Sequence, residues 1–95
     1  MNAILIQKIK RQYAHGIVEV NILQVPGSVP PCRHHYKYRL VYVVNNQRVI
    51  GFDNERGKGD HWHYENKEFS YQFVNVETLL ADFWKALELH TGDKK

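Results

Sequence analysis

Hydrophobic and polar residues alternate along most of the first half of the chain, with the period of a β-strand. Residues 17–25 read IVEVNILQV, which puts Val18, Val20 and Ile22 on one face and Glu19 and Asn21 on the other. In residues 3–13, Ile4, Leu5, Ile9 and Tyr13 would also fit a helical stripe. Ala14-His15-Gly16 looks like a tight turn, however, so a hairpin is the favoured reading and a helix the alternative. Pro26-Gly27 and Pro30-Pro31 end the second strand and mark a surface loop. Tyr36–Val44 carries the strongest strand pattern. Tyr36, Tyr38, Leu40, Tyr42 and Val44 share one face, while the other is polar at Lys37 and Arg39 and apolar at Val41 and Val43. That change predicts one strand end covered on both sides. Asn45-Asn46 suits a two-residue hairpin turn, because asparagine tolerates positive φ. A return strand over residues 47–53 then sets Val49 opposite Tyr42, Gly51 opposite Leu40 and Asp53 opposite Tyr38.

Residues 54–69 are polar and contain glycine, which predicts a long loop with at most a short strand near residues 62–64. Residues 71–74 are expected to form a last short strand. From Val76 to about Leu89 the period changes to that of a helix: Val76, Leu79, Leu80, Phe83, Trp84 and Leu87 form one stripe. Asn75 is placed to cap its start, Glu77 suits the N-terminal end of the dipole, and Gly92 follows where it should stop. The fold class predicted is α+β. A hairpin-rich antiparallel sheet of four or five strands carries a C-terminal amphipathic helix on one face, with Trp84 in the core.

Ninety-five residues, 43% hydrophobic and 24% charged, predict a single folded domain over residues 1–95 rather than a disordered chain. No apolar run has the length of a membrane span, and Gln7 and Lys8 interrupt the first apolar stretch before it reaches signal-peptide length. Cys32 is the sole cysteine, so it has no internal disulfide partner. Together these features predict a cytoplasmic protein. The net charge of +3 is uneven: residues 1–50 sum to +6 and residues 51–95 to −3. A basic half suits a polyanion such as RNA, although cations that merely solvate strand faces give the same count.

Side chains able to do chemistry concentrate in GFDNERGKGDHWHY, residues 51–64. If residues 60–64 are extended, His61 and His63 point one way and Asp60, Trp62 and Tyr64 the other. Paired histidines suit metal-independent RNA cleavage: one accepts the ribose 2′-hydroxyl proton and the other protonates the departing 5′ oxygen. Lys58 and Arg56 would stabilise the charge that develops, and Asp60 lies beside the pair in sequence. The same H-x-H pair would hold a metal if Asp53 or Asp60 gave a third ligand, but no further ligand stands at a recognised spacing. A structural reading also stands, in which Gly57 and Gly59 only turn the chain and the histidines are solvated. GKG is not a phosphate-binding P-loop, since the four-residue spacer and the following Ser/Thr are missing. Arg33, His34, Lys37, Tyr38 and Arg39, with Asp53 nearby, form a basic, aromatic edge suited to phosphates and bases, or more simply an exposed strand end. No cofactor or metal is expected from these patterns.

The stretch YKYRLVY at residues 36–42, the run GFDNERGKGDH at residues 51–61, and His63 resemble the signature of TumE-type toxins. The similarity extends to the opening hairpin, to Val25-Pro26, and to a closing segment from Tyr71 to Phe83, so it spans about residues 3–87. Members of that family usually carry arginine between the two histidines; Trp62 stands here, which weakens any phosphate contact inferred for that position. The resemblance implies a small toxin paired with a cognate antitoxin, typically a helix-turn-helix DNA-binding protein. Ribonuclease action, blockage of translation by a non-catalytic RNA- or ribosome-binding module, and a metal-dependent hydrolase or nucleotidyl-transfer enzyme are the readings it leaves open. An acidic antitoxin segment would suit residues 54–64 or the basic edge at residues 33–39. Dimerisation through a free strand edge is open too, though no residue singles it out.

Overall fold

The computed structural model describes residues 3–28, 30–55 and 57–92. Six strands follow one another in space as they do in sequence: β1 (Ile4–Tyr13), β2 (Gly16–Gln24), β3 (Tyr36–Val44), β4 (Gln47–Glu55), β5 (Gly59–Tyr64) and β6 (Lys67–Ser70). Every neighbouring pair is antiparallel. One helix, α1 (Val76–Thr91), follows. The α+β class is as expected, but the sheet has six strands rather than four or five. The difference lies in residues 54–69. This stretch is not a loop: β4 runs on to Glu55, and β5 and β6 form a further hairpin whose polar composition reflects one uncovered face. Residues 71–74 form no strand.

Local chemistry explains the turns and caps. Asn45 and Asn46 both adopt positive φ, as a tight hairpin turn requires. Asn75 caps α1, its Oδ1 accepting the Thr78 N–H at 2.7 Å, and Gly92 ends it in the left-handed region with its N–H donated to Glu88 O. Leu79, Phe83 and Leu87, spaced by four residues, are fully buried against Val18, Val20, Ile22, Leu40, Ile50 and Phe52. Trp84 is only partly buried; its ring meets Tyr13 edge-on at 5.6 Å, with the Arg11 guanidinium above it at 5.9 Å. The deepest aromatic of the helix is therefore Phe83 rather than Trp84.

The expected register of the central hairpin is off by one. A bulge between Tyr42 and Val43 gives two β4 residues to one step of β3. Asp53 consequently pairs with Arg39, not Tyr38, and Gly51 with Val41, not Leu40. Because strand side chains alternate, that one-residue change moves Asp53 from the helix-covered face to the open one. Among the described residues, no helix is long and apolar enough to cross a membrane.

Candidate functional site on the helix-free face of the sheet

The helix covers one face, and the register assigns what lines the other. Two rows cross all six strands there. One is Lys8, Asn21, Arg39, Asp53, His61 and Ser70; the next is Lys10, Glu19, Val41, Gly51, His63 and Glu68. The charged and histidine side chains of distant segments are thus brought side by side by strand pairing alone.

At the β4–β5 end of these rows lies the histidine pair. The His61 and His63 rings sit nearly perpendicular with centroids 4.8 Å apart, so the expectation that they share a face is met. His61 is buried, and its Nδ1 donates to Gly59 O at 3.0 Å. Its Nε2 lies 2.6 Å from Asp53 Oδ1. Yet Oδ1 lies off the line of a hydrogen bond, and among the described residues this buried oxygen has no hydrogen-bond donor. His63 is half-buried; desolvation, the Arg48 guanidinium and His61 hold its pKa below the ordinary imidazole value. One ligand atom each from Asp53, His61 and His63 lies within 4.8 Å of the others.

Cations flank this centre. Lys58 pairs with Glu68 at 2.9 Å and more loosely with Glu55 at 3.9 Å, and the Glu68 hydrogen bond raises its pKa. An open polar depression of about 370 Å³ lies between Lys58, His61, Glu68 and Ser70. A larger hollow of about 670 Å³, lined by Lys10, His15, Asn45 and other residues at the hairpin ends, holds none of the candidate catalytic groups. Arg48 also belongs here, although nothing in its sequence context pointed to it. A β-carbon added to Gly51 would meet Arg48 Cδ at 2.9 Å, so the glycine is what lets the arginine lie across the sheet toward His63.

Several candidate residues are placed elsewhere. Asp60 points to the helix side, where its Oδ1 accepts from Tyr38 Oη at 2.6 Å and from His34 Nε2 at 2.8 Å. It is not part of the histidine centre. Tyr38 is almost fully buried, so no base can stack on it, and burial followed by the Asp60 contact pushes its phenol pKa far up. His34 lies against Phe73 with ring centroids 3.9 Å apart and serves this same buried cluster, not a binding edge. Lys37 donates to Asn54 O at 2.9 Å, Arg39 lies 3.9 Å from Glu19, and Arg33 is exposed. Arg56 lies outside the described residues. The buried Asn54, also unforeseen, ties its side chain to the Tyr36 and Tyr38 backbone.

No curated protein and no solved structure matches the chain. The family model described as Toxin TumE matches residues 5–90, nearly the whole length, and the chain belongs to that toxin family.

Proposed function

We propose that this toxin acts on RNA, laying the phosphodiester backbone across the helix-free face and cleaving it beside His61 and His63. The observation that carries this reading is the convergence of Asp53, His61 and His63 in one row-and-neighbour arrangement on the uncovered face, with Arg48, Lys58 and Arg39 around it. Cations on an open sheet suit an extended polyanion better than a small enclosed ligand.

The chemistry follows from the parts. In an attack by the ribose 2′-hydroxyl, the bond from that oxygen to phosphorus forms and the bond to the 5′ oxygen breaks. One proton leaves the 2′-hydroxyl and one reaches the 5′ oxygen. The basic atoms of the Asp53–His61–His63 group accept the 2′-hydroxyl proton, and the same group, now protonated, delivers a proton to the 5′ oxygen, while Lys58 and Arg48 face the charge on the phosphoryl oxygens. The metal-free route predicted from sequence asks for two independent histidines. His61 fits that role less well, because Nδ1 is committed to Gly59 O and Nε2 faces Asp53. The geometry favours three groups acting as a unit.

Membership in a toxin family suggests an antitoxin partner. We place its docking on this same face, where an acidic segment would neutralise Lys8, Lys10 and Arg39 and cover the histidines. A helix-turn-helix antitoxin accords with the resemblance.

Induced expression followed by sequencing of RNA ends tests the reading. Wild type should generate new ends, and the folded His61→Ala/His63→Ala double variant should not. A folded double variant that stops growth equally well would refute cleavage and leave the face as a binding surface alone.

A further inference from the structure

We propose that Asp53, His61 and His63 form a binding site for a divalent transition ion of the zinc class. The site is the centre described above, and the ion's use rests on the RNA reading, whereas its binding does not.

The hydrogen bond of His61 fixes its chemistry. A carbonyl oxygen only accepts, so the contact with Gly59 O puts a proton on Nδ1 and leaves Nε2 of the neutral ring with its lone pair. Metal-bound histidines are commonly held in this way, by a backbone carbonyl on the far nitrogen. Gly59 sits at φ +82, in the left-handed region that favours glycine, and this conformation sets the carbonyl.

The lone pair of Nε2 then faces a carboxylate oxygen 2.6 Å away in buried space. Two electron-rich atoms at that distance repel unless a positive centre lies between or beside them. A proton on Nε2 would draw Oδ1 onto the N–H axis, making a strong charge-assisted bond. Oδ1 is instead off that axis and has no donor among the described residues. An ion seated to one side of the N···O line satisfies both atoms, and a ring nitrogen of His63 lies within reach as the third ligand.

The ligand set decides the ion class. Two imidazoles and one carboxylate, with a further position open, match catalytic zinc sites, whereas magnesium and calcium prefer oxygen ligands. His61 lines the polar depression beside Lys58 and Ser70. There an ion would polarise a phosphoryl oxygen. Tetrahedral bonds of about 2.0 Å space ligand atoms about 3.3 Å apart, so Asp53 and His61 must separate slightly on loading. The other group with suitable donors among the described residues, Cys32, His34 and Asp60, lacks this signature. Its Asp60 oxygen already accepts from Tyr38 and His34. Burial raises the Cys32 thiol pKa, which disfavours the thiolate a metal needs.

The test uses the full-length, untagged chain freed of metal by chelation and titrated with Co(II), followed by its visible d–d absorption and by competition with Zn(II). One equivalent should bind, and Asp53→Asn, His61→Gln and His63→Gln should each weaken binding about 10²-fold or more. His34→Gln should bind normally. Half-buried His63 makes its variant the one least at risk of misfolding, and circular dichroism checks each. Absent cobalt bands, or full binding by folded His63→Gln, would overturn the site. RNA cleavage by the metal-free chain would overturn the ion's use in the reaction but leave the RNA reading standing. Ion binding without any RNA cleavage would do the reverse.

Discussion

Asn54 Oδ1 accepts the backbone N–H of Tyr38 at 3.0 Å, so a side-chain amide takes over where β4 stops pairing with β3. The same amide donates through Nδ2 to Tyr36 O at 2.8 Å. Asn54 is fully buried, so removing it strands the buried Tyr38 N–H and leaves the part-buried Tyr36 carbonyl without its donor. Asn54→Ala should cost about 2–4 kcal/mol, the usual penalty for two groups left unpaired. Urea unfolding reads this directly: a midpoint equal to wild type would mean that water or a shifted backbone satisfies both groups.

The sequence foresaw the turn at Asn45-Asn46 but not the face of Asp53. Turn residues are visible because positive φ restricts what can stand there. A bulge has no such signature, and the extra residue around Val49 leaves the hydrophobic pattern of β4 plausible in either register. That bulge is what turns Asp53 toward His61. The same limit hid Asn54, since a buried asparagine in a polar stretch looks like any loop residue. His61 and His63 were legible because H-W-H alternation fixes a shared face in any register. The same alternation already set Asp60 on the opposite side of β5; only its adjacency in sequence suggested a share in the chemistry, and it belongs to the core-side cluster.

Packing on the helix gives a graded expectation. Phe83 is fully buried and meets Phe52 edge-on, with centroids 6.1 Å apart, whereas Trp84 stays partly in water. Phe83→Ala should therefore destabilise by about 3–5 kcal/mol. Trp84→Ala should lose about half as much, because less of its area leaves water on folding. Thermal or urea unfolding that ranks the two in the opposite order would show that the helix is rotated relative to this description.

Gly51 offers a way to move Arg48 without replacing it. A methyl group at Gly51 would stand 2.9 Å from Arg48 Cδ and 3.6 Å from Val41 Cγ1, and the long arginine chain is the part free to yield. Gly51→Ala should keep the fold, with a loss below about 1 kcal/mol. Growth inhibition should fall about 10²-fold, as when one charge-stabilising group is lost, and Arg48→Ala should match it. A fully active Gly51→Ala beside an inactive Arg48→Ala would show that the arginine acts from a position the glycine does not govern.

The two carboxylates on either side of β4 and β5 should separate function from stability. Asp53 faces the histidine pair, and Asp53→Asn keeps its size while removing the charge; it should abolish growth inhibition and leave the unfolding midpoint nearly unchanged. Asp60 faces the core, where one oxygen holds both Tyr38 Oη and His34 Nε2. Asp60→Ala leaves the buried Tyr38 hydroxyl unpaired and should cost about 2–3 kcal/mol. Its activity per folded molecule should remain, once soluble protein levels are matched. The measurement is a pair of unfolding curves set beside growth assays at equal folded concentration. If Asp60→Ala is stable but inactive, that carboxylate reaches the chemistry by a route this geometry does not provide, and the helix-free face is not the whole site.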